Sequence, residues 1–205
     1  MSRRIAASAA MLMSLFAATS ATAQQRPSTT ITSFRGLEWG SAVDTVLATF
    51  GDPEEDTILD GLRMLAFRDS LVGQPSVVLF GILPDDGLVK GQEVVNALEG
   101  QECVDQIRGI QRFVDLQYPL IHPTEEARNN TSSAICEAAK LGHAHWHRQW
   151  ADTATGSVIS VRLDAGSTQI SMTYESRRFR EWVGAPLDVV SDEGDGTQEQ
   201  IGEVP

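Results

Sequence analysis

The chain has 205 residues, with 16 Lys and Arg against 28 Asp and Glu, and a formal charge of −12. A charge of that sign repels phosphate backbones and anionic bilayers, so nucleic acid and acidic membrane surfaces are poor partners. With 41% hydrophobic residues there is apolar material for one compact domain or two small intimate ones.

At the start, Arg3 and Arg4 precede an apolar run from Ile5 to Phe16, followed by small residues ending in Ala21-Thr22-Ala23. Basic start, short apolar middle and A-x-A end form a secretory signal peptide, expected over residues 1–23. The run is shorter than the ~20 residues a membrane-spanning helix needs. Cleavage after Ala23 would remove Arg3 and Arg4 and take the charge from −12 to −14. The address predicted is periplasmic or secreted in a bacterium, with no transmembrane span in the mature protein. Residues 24–33 read as a flexible lead-in.

The first half, 34–98, opens with "GLEWGSAVDTVLATFGDPEE". Ser41 is placed to cap a helix, with Asp44 as the capping-box acid. Val43, Val46, Leu47 and Phe50 fall at helical spacing; Gly51 supplies the left-handed stop and Pro53 prevents continuation. Three strands are expected next: "DTILDGLRMLAFRD" with a turn or bulge at Gly61, "SVVLFGIL", and, after the turn "PDDG", "LVKGQEVVNAL". Glu54, Glu55 and Asp56 read as a solvated acidic corner.

The second half, 99–184, repeats the plan. Cys103, Ile107, Ile110 and Val114 form one helical stripe, and Tyr118-Pro119 ends it. A polar loop containing "NNTSS" leads to the strands "HWHRQWAD", "SVISVRL" and "TQISMTYE". Ile159, Val161, Leu163, Ile170, Met172 and Tyr174 alternate with Ser160, Arg162, Gln169, Ser171, Thr173 and Glu175, one face packed and the other wet. "RRFREWV" predicts a short closing helix with Arg177, Arg178 and Arg180 on a solvated face. Residues 185–205 hold six acidic residues, no Lys or Arg and no apolar period, the composition of a disordered tail. The expected fold is therefore α+β: two αβββ-like halves forming antiparallel sheet, with helices packed on one face.

The W-G…V…F-G-x-P pattern of Trp39, Gly40, Val46, Phe50, Gly51 and Pro53, with Trp150 and Tyr174 on later strands, resembles small exported bacterial modules. These include the repeats of β-lactamase inhibitor protein and of outer-membrane assembly lipoproteins. The resemblance implies a protein-binding role and carries over no catalytic residues. Two departures stand out: Tyr118 meets Pro119 without the usual intervening Gly, and no cysteine is placed to carry a lipid.

Little of the chain has the form of chemistry. It contains no G-x-S-x-G elbow and no Gly-rich phosphate loop, and catalytic and cofactor-binding residues are expected to be absent. Cys103 and Cys136, an even pair in an exported chain, are expected to form a disulfide. Asn129 and Asn130 head glycosylation-type triplets but read as ordinary loop residues. His143, His145 and His147 are expected to share one face of a strand, with Trp146 and Trp150 on the other. The outer two would stand about 13 Å apart, too far to share a metal, so His145 and His147 are the candidate metal pair. Arg162 on the same face opposes a cation. Three functions follow: a non-catalytic protein-binding accessory protein of the envelope, a metal-dependent hydrolase or metal carrier built on His145 and His147, or a carrier of a small apolar ligand.

Overall fold

The computed structural model describes residues 27–124 and 132–185. The expected signal peptide, Asn129, Asn130 and all of the expected acidic tail beyond Ala185 lie outside them.

A two-strand ribbon, β1 (Ser33–Phe34) and β2 (Leu37–Glu38), leads into helix α1 (Val43–Phe50). Four strands follow: β3 (Glu55–Leu59), β4 (Leu62–Leu71), β5 (Gln74–Leu83) and β6 (Gly87–Asn96). The second half contributes α2 (Gly100–Gln117), α3 (Ser133–Lys140), β7 (Trp146–Asp152), β8 (Ser157–Leu163), β9 (Gln169–Glu175) and α4 (Arg177–Trp182). Strands β3 to β9 form one antiparallel sheet in the order β3-β4-β5-β6-β9-β8-β7. The halves meet where β6 pairs with β9, so the protein is α+β with one seven-stranded sheet shared by both halves and the separate β1–β2 ribbon.

Two expected boundaries move for local reasons. Asp60-Gly61, with φ of 52° and 89°, closes a two-residue hairpin that splits the first expected strand into β3 and β4. Ser41 does not cap α1: its hydroxyl donates to the Glu38 carbonyl, and the cap position falls to Ala42. Gly51, with φ of 83°, ends the helix as expected.

One face of the sheet carries the main core. Phe50 of α1 packs 4.7 Å from Phe80 and 5.6 Å from Phe67, centroid to centroid. The stripe Cys103, Val104, Ile107, Ile110 and Val114 of α2 is buried on the same core, with Trp146 and Trp150. Trp150 also donates its indole N–H to Asp115 at 3.0 Å. The ribbon drops Phe34 onto β6, where a Cβ at Gly91 would come within 2.1 Å of the ring, so glycine is required there. Residues 28–33, expected as part of a flexible lead-in, are tied down: Ser28 donates its amide to the Gln117 carbonyl, and Ile31 is fully buried.

Helix α4 departs from the expected single helical layer. Its Phe179 packs with Leu62, Met64, Leu83 and Val89 in a second, smaller cluster. Register puts Leu62 and Met64 on the face opposite Leu65 and Phe67, so α4 covers one end of the other side. Arg180, expected on a solvated face, is buried, with Nη1 3.5 Å from the Gly156 carbonyl.

Cys103 and Cys136 are bonded, with Cα atoms 6.4 Å apart, and join α2 to α3 beneath the sheet. Closing a loop of 33 residues is worth about 3.5–4 kcal/mol in the chain-entropy account. Denaturant unfolding with and without reductant should therefore differ by about 2–5 kcal/mol; superimposable curves would show that the bond contributes nothing.

Candidate functional site

Because side chains alternate across a strand, the face opposite the main core can be read directly from the register. One cross-strand row runs Arg68, Val77, Val94, Ser171, Arg162, His147 from β4 to β7. The next runs Ala66, Leu79, Gln92, Thr173, Ser160, Gln149. Six strands at about 4.8 Å spacing make this face about 24 Å across. Helix α4 lies over a third row, which begins at Met64 and Lys90, and no described helix covers the first two.

The surface is a mixture of small polar groups and partly covered aliphatics. Val77 is 42% exposed, while Leu79, Gln92, Val94, Ser171, Thr173 and Gln149 are half-buried. Neither row carries a carboxylate between β4 and β7, although the chain as a whole is strongly acidic. Arg68 is paired with Glu54 at 2.6 Å, beyond the edge of the rows. Arg162 is exposed near the centre of the second half. Lys90 lies over the Phe179 ring at 4.8 Å and opposite Glu175. Burial, aided by the charge of Arg162, holds its pKa below the ordinary lysine value against the pull of Glu175.

The histidines do not stand together as expected. Strand β7 begins at Trp146, so His143 and His145 occupy the exposed turn and lead-in before it, and His147 alone is on the strand. The cause is α3: the amides of Gly142, His143 and Ala144 bond to the Ala139 and Ala138 carbonyls, finishing the helix instead of extending the ladder. Trp146 already pairs with Leu163, the last residue of β8, which leaves His145 no partner. His147 does share the open face with Arg162, its neighbour in register. Among the described residues no group of three or more His, Cys, Asp or Glu converges to hold a metal ion.

Beside the open face, at the end of the sheet, a cleft of about 230 Å³ lies among Trp39, Asp86, Leu88, Ser157, Ser176 and Arg178. Its charges are already matched, Arg178 donating to Asp86 at 2.8 Å and Arg177 to Glu181 at 2.9 Å. It is a packing seam between loops, created where Gly40 meets Gly87 too closely for a side chain: a Cβ there would stand 2.3 Å from the Gly40 carbonyl oxygen.

Two buried polar centres support the face from the core side. Arg35, in the ribbon turn at φ 53°, grips Glu93 with both Nε and Nη2 and reaches Asp69 at 3.4 Å. Burial pushes the Glu93 carboxyl up, and Arg35 pulls it part of the way back. Asp152, at the end of β7, accepts from the Ile31 amide at 2.8 Å, the Ala154 amide at 2.9 Å and the Thr155 hydroxyl at 2.7 Å. Burial alone would raise its pKa; these bonds together hold it below the ordinary value.

Comparison of the chain with family models, characterised proteins and solved structures returns no match.

Two measurements test this arrangement. Asp152→Asn should lower stability near neutral pH by about 1–3 kcal/mol, the usual cost of a broken buried hydrogen-bond set. The folded-state value of Asp152 lies below its unfolded value, so its contribution is present above about pH 4 and lost as the pH falls through the folded value. The gap between wild type and variant should then close on acidification; a gap that widens would refute the assignment. In a calorimetric zinc titration the wild type should show no one-to-one submicromolar site. Such a site, abolished by His145→Ala with His147→Ala, would restore the metal reading.

Proposed function

We propose that this is an exported, non-catalytic accessory protein of the bacterial cell envelope that binds another protein through the open sheet face. The observation that carries the reading is the pair of cross-strand rows that no described helix covers, Arg68 to His147 and Ala66 to Gln149. A protein contact needs a broad surface of mixed polarity with little free charge at its centre. These rows supply Gln, Ser and Thr donors and acceptors among Val77, Leu79 and Val94, with Arg162 near one end and Arg68, paired with Glu54, at the other. The resemblance of the Trp39-Gly40 to Pro53 segment to β-lactamase inhibitor protein repeats points the same way.

Export draws on two features. The first 23 residues have the tripartite composition of a signal peptide. The Cys103–Cys136 bond suits an oxidising compartment. No helix among the described residues is long and apolar enough to cross a membrane.

The test is site-directed photocrosslinking in cells that make the protein. A photoreactive residue at Thr173, on the open face, should give a discrete adduct with a protein partner. The same group at Leu116, 68% exposed on α2, should give none. Arg162→Glu should reduce the Thr173 adduct severalfold. Adducts from Leu116 alone would move the contact to the helical side and sink this reading.

A further inference from the structure

An open sheet has two edges, and here they are finished differently. On the β7 side, Pro123 forms a bridge with Trp150 and the Thr124 amide donates to the Gln149 carbonyl. On the other side β3 has no neighbour beyond it among the described residues. All five residues of β3 are exposed, Ile58 at 70% and Leu59 at 62%. Such a strand presents unpaired N–H and C=O groups to any strand that can align with it.

We propose that β3 is a self-association edge, on which a second copy of this chain pairs antiparallel about a two-fold axis at Thr57. The hairpin fixes which backbone groups are available. Leu59 and Leu62 close a two-residue turn as a bonded pair, so Leu59, Thr57 and Glu55 point their backbone groups toward β4. Asp56 and Ile58 then point theirs outward. With the axis at Thr57, Asp56 of each copy exchanges hydrogen bonds with Ile58 of the other.

The occupant follows from the charge pattern of the strand. Glu55 and Asp56 make one end acidic, and Ile58 and Leu59 make the other apolar. Antiparallel pairing about Thr57 sets Glu55 against Leu59 and Asp56 against Ile58, so no carboxylate directly faces another. A parallel, in-register copy would align acid with acid. Within each copy the acids are also offset, Arg63 holding Asp56 at 2.9 and 2.6 Å and Arg68 holding Glu54 at 2.6 Å. Self-complementarity of this kind is what a two-fold contact requires.

A five-residue edge buries less than the roughly 1,200 Å² of stable interfaces, so the dimer is weak, with a dissociation constant in the micromolar range or above. An axis perpendicular to the sheet turns both open faces to the same side. The dimer would thus present two equivalent surfaces side by side, and this geometry holds whether or not those surfaces bind a protein.

Sedimentation equilibrium of the full chain, from about 1 µM to about 1 mM, tests the proposal. The wild type should show a reversible monomer–dimer equilibrium, and the Asp56 and Ile58 amides should exchange more slowly at high concentration than at low. Ile58→Lys, with an unchanged circular dichroism spectrum, should weaken the dimer by about tenfold or more. A monomer at every concentration, a dimer that Ile58→Lys leaves intact, or amide exchange indifferent to concentration would each overturn it.

Discussion

Seven register pairs, from Lys90–Glu175 to Asn96–Gln169, join β6 to β9 and thereby the first half of the chain to the second. Neither half alone has a closed core. The first ends in β6 with a free edge, and the second has only three strands to set against α2 and α3. Pairing β6 with β9 gives both their missing neighbour and lays one floor under all three core helices. What covers the centre of this seam is the ribbon, Phe34 lying 5.0 Å from Tyr174 of β9 and 5.3 Å from Phe80 of β5. The missing side chain at Gly91 makes room for it. The Ile31–Asp152 and Ser28–Gln117 bonds matter for the same reason: they hold the ribbon's approach to the second half while its ring sits over the junction.

The same seam explains a buried charge. Glu93 is 1% exposed on the core side of β6, where an isolated carboxylate would be strongly disfavoured. Arg35 reaches it because the ribbon turn holds Arg35 in the left-handed conformation, and its second amino group also bonds the Ser70 carbonyl. A buried pair of this kind adds little net stability compared with apolar residues, but loss of either partner is costly. Its effect is therefore on choice of arrangement: the ribbon docks where Arg35 meets Glu93 and Asp69, and slippage would strand all three.

What the sequence made legible follows from how strongly each element is patterned. The strands β8 and β9 alternate cleanly, and β8 runs from Ser157 to Leu163 as the alternation requires. The core stripe of α2 and the pairing of Cys103 with Cys136 were equally readable, one from period and the other from parity. The turns at Gly61 and at Pro84 to Gly87 were legible too, but two other hairpins were not. Arg35-Gly36 and Val72-Gly73 adopt positive φ at both residues, yet Arg and Val are not residues that announce such turns, and Val72 at 50° is strained for a β-branched side chain. The bulge beside Leu88 and Val89 hid the open face in β6, because it reverses the alternation set by Lys90 and Gly91: Leu88 joins the main core and Val89 the smaller cluster. The histidines misled for a related reason. Period two placed His143 and His145 with His147, but α3 claims their backbone before the ladder can.

The open face shows how an acidic chain can keep two cross-strand rows of a sheet, from β4 to β7, free of its own carboxylates. Carboxylates gather at the β3 end and around α4, where Arg63, Arg68, Arg177 and Arg178 engage several of them. Between β4 and β7 the two rows carry amides, hydroxyls and aliphatic groups with Arg162 standing among them. Exposed ion pairs contribute little, and a surface crowded with them would need extensive desolvation before any partner could settle. Gln92, Thr173 and Gln149 already stand half-buried in fixed strand positions, so meeting a partner costs little ordering. On the proposed reading, selectivity would rest on matching shape and hydrogen bonds across these rows, with Arg162 disfavouring partners that bring a cation to its position.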